Sequence, residues 1–335
     1  MALQGTKGFW TVIAALAGNL IVTAMKFFAA FVSGSSSMLS EAIHSSADTF
    51  NQILILIGLG RSNKKADDSF EYGYGNERSF WALISACGVF FLGAGVTVYK
   101  GIEAMSAGHQ INFSPVVFVV LAISLVVEFY TFRVAARSLQ KDFPEASWTE
   151  RVFLSDPSTL SVFLEDAVAV IGVFVAFISI SLSYYTGSPL WDAGGSLVIA
   201  VLLAFVAVTL IIKNRSYLIG VAMPEELQEE VMSLLRAEPA IEQIIDFKSS
   251  TIGFNSYRIK CEIEFNGSAL LGDAYQQETL RAQYDEIHGD FDEFKRFCVE
   301  YADRIPRLIG RKIDDIEARI RKEFPGIRHI DIEIN

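Results

Sequence analysis

His44 and Asp48 lie four residues apart within a stretch that is otherwise apolar enough to cross a membrane. On a helix this spacing places both side chains on one face. Placing an ionisable side chain at the centre of a bilayer costs about 2.5–3.5 kcal/mol on insertion scales. Because of this cost, our first hypothesis is that the pair has a functional role. An imidazole nitrogen and a carboxylate oxygen are ligands that hold a borderline divalent cation such as zinc.

Asp166 is predicted to lie at the same depth as this pair. The stretch that holds Asp48 starts near Met38 on the outer side, so Asp48 is roughly 15 Å deep at 1.5 Å per residue. The stretch that holds Asp166 starts near Ser155 on the inner side, which again places the carboxylate near the midplane. His44, Asp48 and Asp166 would then supply three of the four ligands of a tetrahedral zinc ion. The alternative is a helix bundle held together by interhelical hydrogen bonds.

The fourth ligand is open among three candidates: Glu165, Asn51 and water. Glu165 neighbours Asp166 but points about 100° away on the helix, so it would need a rotated or distorted span. Asn51 lies on the face of His44 and Asp48, and its amide oxygen could coordinate.

Three of the other charges within the apolar stretches have competing explanations. Lys26 and Glu41, near the outer ends of their spans, are expected to form a salt bridge or to reach the interface. Glu128, with Arg133 five residues later, could handle protons or could serve as a structural partner.

Charge is distributed unevenly along the 335 residues, 51% of which are apolar. Residues 1–213 hold 12 Lys+Arg and 15 Asp+Glu, whereas residues 214–335 hold 16 and 24, so most of the net charge of −11 lies in the second part. The contrast predicts a transmembrane transport domain at 1–213 and a cytoplasmic C-terminal α+β domain at 214–335. The acidic second part argues against nucleic acid as a partner. The three scattered cysteines suggest neither a disulfide framework nor a thiolate zinc site.

Six stretches are long and apolar enough to span a lipid bilayer, which predicts a membrane α-helical protein with six transmembrane helices followed by a small soluble domain. They are residues 9–32, 38–60, 80–104, 115–138, 157–186 and 191–213. Lys and Arg concentrate in the second and fourth connections and after the last span, so both termini are expected to be cytoplasmic. Residues 1–8 contain no signal-peptide pattern. A bacterial inner membrane is the expected location, although an organelle membrane also fits.

The C-terminal part is predicted to be a small α+β sandwich that could hold two subunits together. An amphipathic helix at 225–237 is followed by strands near 241–252 and 257–265. A long helical stretch at 274–323, interrupted at Pro306, precedes a final strand at 329–334. His329 and Asp331 could bind a metal ion there, but a solvated edge strand is the favoured interpretation.

The chain resembles the cation diffusion facilitator family over nearly its whole length. The resemblance rests on the run from Gly34 to Gln52, the loop from Tyr72 to Arg78 and the triplet Leu164–Asp166. It implies a homodimeric divalent-cation/proton antiporter with zinc as the usual transported substrate and a metallochaperone-like cytoplasmic domain. The long helical stretch before the last strand looks most like the zinc transporter nine branch.

Carried onto this sequence, the family's transport-site positions fall on His44, Asp48, Val162 and Asp166. Valine cannot bind metal, and the Glu165–Asp166 pair is similar to what the zinc transporter nine branch shows instead. Family members with a second metal site place histidines where this chain has Phe70 and Tyr74, so that only Asp67 could match. We therefore expect the second site to be absent and any metal binding by the C-terminal domain to be weak.

The resulting hypothesis is zinc efflux by proton antiport, through alternating access around a midplane His/Asp site. The glycine-rich third span is expected at the dimer interface. Two alternatives stay open: transport of manganese, iron or cobalt, and a metal-sensing membrane scaffold that transports nothing. An enzyme is not expected, because the sequence contains no nucleophile–base pair, phosphate loop or cofactor fingerprint.

Overall fold

The computed structural model describes residues 6–107, 114–142, 144–145, 147–155, 157–272 and 277–335. It divides into two compact units, Met1–Ile219 and Gly220–Asn335. The residues proposed to hold metal all lie in the first unit.

The first unit is built from long helices. They are α1 (Thr6–Ser33), α2 (Ser36–Ser62), α3 (Glu77–Gly88), which continues through a π-helical turn (Val89–Ala94) into α4 (Gly95–Ala107), α5 (Pro115–Asp142), the short α6 (Trp148–Leu154), α7 (Pro157–Thr186) and α8 (Leu190–Ile219). Their shared core is aliphatic, with Met38, Leu121, Ile199 and Leu203 almost fully buried.

Within the part of the chain that the structure describes, four helical segments are long and apolar enough to cross a membrane. They are Glu77–Ser106, Pro115–Lys141, Thr159–Thr186 and Leu190–Ile219. The apolar segment found in α1, Gly18–Ser33, is shorter than these. The α2 helix is not among the four, because serines, His44, Asp48 and Asn51 lower its hydropathy.

The helices α1, α2, α5 and α7 pack around one another, and α8 packs on α2 and α7. The third predicted span, α3 to α4, packs on α8 of the same chain. Gly101 is needed there, because a Cβ at this position would lie 2.8 Å from Leu197 Cδ2. Gly101 thus serves a contact within one subunit, and the dimer interface stays a prediction.

The second unit contains a three-stranded sheet with the order β1 (Ile241–Gly253), β2 (Ser256–Phe265) and β3 (Ile327–Ile334). The β1 and β2 strands are antiparallel, and β3 runs parallel to β2 as an edge strand. The helices are α9 (Glu225–Arg236), α10 (Gly267–Gly272), α11 (Gln277–Ile287) and α12 (Phe291–Glu323). Val231, Leu235, Ile259, Ile316 and Ile320 form the buried core between helices and sheet.

The predicted interruption at Pro306 is wrong, since Pro306 lies inside the continuous α12. The helical stretch breaks instead between Ile287 and Phe291, where the side chain of Asp290 caps α12 by accepting hydrogen bonds from the backbone of Asp292 and Glu293. A capping aspartate starts a new helix locally, whereas a proline inside a long, packed helix can be accommodated by the loss of one backbone hydrogen bond. Residues 274–276, where the stretch was predicted to begin, lie outside the described residues.

Candidate metal centre

His44 and Asp48 both lie on α2, and their side chains are neighbours. The distance from His44 Nδ1 to Asp48 Oδ1 is 3.6 Å, which is longer than a hydrogen bond. His44 is 1% exposed, and neither of its ring nitrogens has a hydrogen-bond partner among the described residues. A buried imidazole is costly without partners, and in its neutral form the ring nitrogen that carries no hydrogen is available to a metal ion or a proton.

Asp166 on α7 carries a second unsatisfied group. Its Oδ2 is buried and has no hydrogen-bond partner in the described part of the chain. The carboxylate lies close enough to Asp48 for the two to interact electrostatically. The helices α2 and α7 therefore bring these two carboxylates into one region.

Glu165 faces α2 rather than pointing away from it. Its oxygens accept hydrogen bonds from Asn51 Nδ2 at 2.6 and 2.5 Å and from Ser161 Oγ at 2.7 Å. Glu165 is 9% exposed, and it also interacts electrostatically with Asp48 and Asp166. Val162, which supplies no donor, is 46% exposed.

The side chains are near one another but do not form a closed site. Among the described residues, no three His, Cys, Asp or Glu side chains are placed so that they could hold one metal ion. As carboxylates, Asp48, Asp166 and Glu165 repel one another, and Glu165 is held by hydrogen bonds from Asn51 and Ser161. A cation would offset the repulsion and compete for Glu165.

The expected Lys26–Glu41 salt bridge is present, and Lys26 also forms a salt bridge with Glu128. Lys26 Nζ lies 2.9 Å from Glu41 Oε2 and 2.5 Å from Glu128 Oε1. We call these three residues the charge cluster. Sequence reasoning set Glu128 beside Arg133 on its own helix and did not identify its partner on α1.

Asp192, at the start of α8, was not identified from the sequence. Its carboxylate accepts hydrogen bonds from the hydroxyls of Ser35 and Ser36 and from the backbone nitrogens of Ser36 and Ser37, at 2.6–3.2 Å. It thereby anchors the first turn of α2, the helix that carries His44 and Asp48, and a negative charge is favourable at a helix N-terminus. The available signal was an acidic residue at the end of a span that follows a serine-rich turn.

The loop after α2 uses Asp67 as a structural acceptor. Its carboxylate accepts hydrogen bonds from Lys64 Nζ and the Tyr74 hydroxyl, each at 2.8 Å, and from the backbone nitrogens of Ser69 and Phe70. The hydrogen bonds from Lys64 and Tyr74 lower its pKa to about 2. The absence of a second metal site in this loop stays a prediction.

In the second unit, Asp331 on β3 forms an ion pair with Arg258 on β2 at 2.6 Å. Burial and the nearby Arg258 lower the pKa of His329 on the same strand. Metal binding by these residues therefore has to compete with an existing ion pair.

A family profile described as the cation efflux transmembrane domain matches residues 12–219, more than half of the chain. The chain belongs to the cation efflux family. Membership makes it a multi-pass membrane protein of a transporter family, and it agrees with the expectation that the chain is not an enzyme.

The names of relatives of this cation efflux protein refer to metals. It is 34% identical to metal tolerance protein C4 of Arabidopsis thaliana over 331 residues, which cover 96% of this chain and 72% of that protein. It is also 34% identical to the mitochondrial proton-coupled zinc antiporter SLC30A9 of Homo sapiens over 328 residues, again 96% of this chain. The alignment spans only 58% of the human protein's length. The manganese efflux system protein MneP of Bacillus subtilis is 26% identical over 230 residues, which cover 66% of this chain and 72% of that protein. These similarities confirm the family resemblance and place the chain near the SLC30A9 branch.

Proposed function

We propose that the protein carries divalent metal ions, zinc foremost, across a membrane in exchange for protons. The observation that carries the proposal is His44, a fully buried imidazole with no hydrogen-bond partner on either nitrogen among the described residues, placed beside Asp48 on one helix. The name of the human relative, a proton-coupled zinc antiporter, supports the same activity.

The donor set suits zinc better than a harder ion. His44 offers a nitrogen, and Asp48, Asp166 and Glu165 offer oxygens. Imidazole is a good ligand for zinc and its neighbours in the first transition row, whereas manganese and magnesium favour all-oxygen sites. We assign Glu165 as the fourth ligand and Asn51 as the residue that holds Glu165 when no metal is bound, because the Asn51 amide nitrogen is directed at that carboxylate.

Protons and metal ions compete for the same atoms. His44 has to be neutral and the carboxylates ionised before they coordinate, so metal binding releases protons and protonation expels the metal. Histidine is suited to this exchange because its charge changes near physiological pH. In alternating access, metal would bind from the cytoplasmic side and protons from the opposite side would displace it.

The membrane arrangement belongs to the same proposal. Six helical segments would span the bilayer: α1, α2, α3 with α4, α5, α7 and α8. Both termini would be cytoplasmic, with residues 1–213 as the transport domain and 214–335 as the soluble domain. The protein would act as a homodimer joined in part by the soluble domain, in a bacterial inner membrane or an organelle membrane.

Purified protein in liposomes tests the transport activity directly. A pH gradient imposed across the liposome membrane should drive zinc movement, recorded with a fluorescent zinc indicator, and liposomes that contain Asp166→Ala should show the background rate. If no gradient moves zinc, cobalt, iron or manganese through the wild-type protein, the metal-sensing scaffold is the correct interpretation.

The same assay tests the choice of metal. His44→Asp replaces nitrogen by oxygen and should shift the ratio of zinc to manganese transport towards manganese. An unchanged ratio would argue that His44 does not contact the transported ion.

A further inference from the structure

The charge cluster joins three helices at a buried position. Lys26 on α1 contacts Glu41 on α2 and Glu128 on α5 through its single ammonium group. The side chains of Lys26 and Glu41 are fully buried, and that of Glu128 is 12% exposed.

The charges of the cluster do not balance. Two carboxylates share one ammonium, which leaves one net negative charge if both carboxylates are ionised. One oxygen of each, Glu41 Oε1 and Glu128 Oε2, is buried without a hydrogen-bond partner among the described residues. A buried, uncompensated charge is costly, and a bound proton removes that cost.

Resting on the transport function proposed above, we propose that the charge cluster is a proton-binding site separate from the metal ligands. It holds one proton on one of its two carboxyl groups when no metal is bound and releases it when a divalent cation occupies the site at His44, Asp48 and Asp166. The O–H bond of that carboxyl group breaks, the proton passes to water, and both carboxylates then share Lys26. Glu128, whose side chain is 12% exposed, is the member of the cluster through which the proton can reach water.

Electrostatics links the cluster to the metal ligands. The charged and titratable groups that act on Glu128 are Lys26 from α1, Glu41, His44 and Asp48 from α2, and Asp166 from α7. A doubly charged cation among His44, Asp48 and Asp166 stabilises the cluster with both carboxylates ionised, since interactions of this kind are strong where water is excluded. Metal binding and proton release are thus coupled without a shared ligand.

Two buried hydroxyl groups share helix faces with members of the cluster. Thr23 lies three residues before Lys26, and Ser124 lies four residues before Glu128, so each shares a helix face with its charged neighbour. Both hydroxyl oxygens are buried and have no hydrogen-bond partner in the described part of the chain. A hydroxyl can donate and accept at once, which allows a proton to be relayed past it.

Counting protons tests the proposal. Zinc is titrated into the full-length protein in detergent, by calorimetry in two buffers of different ionisation enthalpy, which reports the protons released per metal bound. Glu128→Gln should release about one proton fewer than the wild type. Glu103→Gln, which changes an exposed carboxylate 2.6 Å from Lys100, is the matched control and should leave the count unchanged. An unchanged count in Glu128→Gln overturns the proposal.

A second variant separates proton binding from a structural role. Glu41→Gln leaves Lys26 and Glu128 as a balanced pair, so it should lower the count by the same amount as Glu128→Gln. A loss of thermal stability in both variants with wild-type proton counts would assign the cluster to structure alone. The wild type gives an independent test, since zinc should remove a protonated carboxyl C=O band from its infrared spectrum, and no loss of such a band overturns the proposal.

The transport assay distinguishes the two proposals. Wild-type zinc transport together with an unchanged proton count in Glu128→Gln rejects the charge cluster as a proton site and leaves antiport intact. Failure of the wild type to move any metal under a pH gradient rejects the proposed function.

Discussion

Asn51 of α2 donates hydrogen bonds to both carboxylate oxygens of Glu165 on α7, with nitrogen–oxygen distances of 2.6 and 2.5 Å. This contact joins the two helices that carry the candidate metal ligands. The contact occupies the Asn51 amide nitrogen, whereas coordination would use its amide oxygen, so substitution has to distinguish the two candidates for the fourth ligand.

Substitution of Glu165 should weaken zinc binding more than substitution of Asn51. Glu165→Gln keeps an acceptor for Asn51 but removes the charged ligand, and we expect a loss of zinc affinity of more than about 100-fold, against about 10–100-fold for Asn51→Ala, the usual range for a supporting residue. Isothermal titration with Asp166→Ala as the reference measures both. A larger loss in Asn51→Ala would place its amide in contact with the metal.

Gly172 on α7 is expected to tolerate no side chain. A Cβ at this position would lie 2.2 Å from Glu41 Oε1, so Gly172→Ala has to displace Glu41 from Lys26. We expect destabilisation of about 1–3 kcal/mol, the usual range for overpacking, read as a lower unfolding temperature in detergent.

Gly194→Ala is the control for this prediction. Gly194 lies in the helix α8, and nothing outside that helix lies within 4 Å of the position that a Cβ would occupy, so alanine should be neutral or stabilising there. Equal effects of the two substitutions would contradict the close approach of Glu41 to Gly172.

Asp192→Asn should loosen the start of α2. In the wild type, the donors of the Ser35–Ser37 turn share the two carboxylate oxygens of Asp192. Asparagine replaces one of these oxygens by an amide nitrogen, which leaves part of the turn without an acceptor. A cost of about 1–3 kcal/mol is expected for buried unpaired groups. Hydrogen exchange of the first turn of α2 should increase locally, and an exchange rate equal to that of the wild type would argue against the anchoring role.

Cys261 in β2 should resist alkylation. The residue is 0% exposed, and burial raises the pKa of its thiol to about 12, so the reactive thiolate is scarce at pH 8. Cys298 on α12 is exposed and should react first with iodoacetamide. Mass spectrometry of the labelled full-length protein measures both sites. Labelling of Cys261 should increase with pH, because deprotonation of its thiol produces the nucleophile, whereas fast labelling at pH 8 would show that the sheet opens readily.

Much of the fold follows from local patterns in the sequence. The alternation of Tyr257 to Phe265 predicted β2, and the apolar stretches predicted the long helices. The hydropathy of α2 is less clear than that of the other long helices. The helix forms as predicted, yet its polar residues keep it out of the set of described helices that are apolar enough to cross a membrane by themselves. The position of the helix break was predicted wrongly. The stretch breaks before Asp290, whose side chain caps α12, whereas Pro306 lies inside α12 and does not end it.

Periodicity and depth are properties of one segment at a time, so the sequence by itself determined which polar side chains are expected near mid-membrane: His44, Asp48, Asp166 and Glu165. Only the tertiary structure decided their partners: Asn51 with Glu165, Lys26 with both Glu41 and Glu128, and Asp192 with the start of α2. The physical reason is that a contact between helices depends on how each is rotated about its axis and on which helix packs beside it. Packing of the whole bundle sets both, and no single segment encodes them.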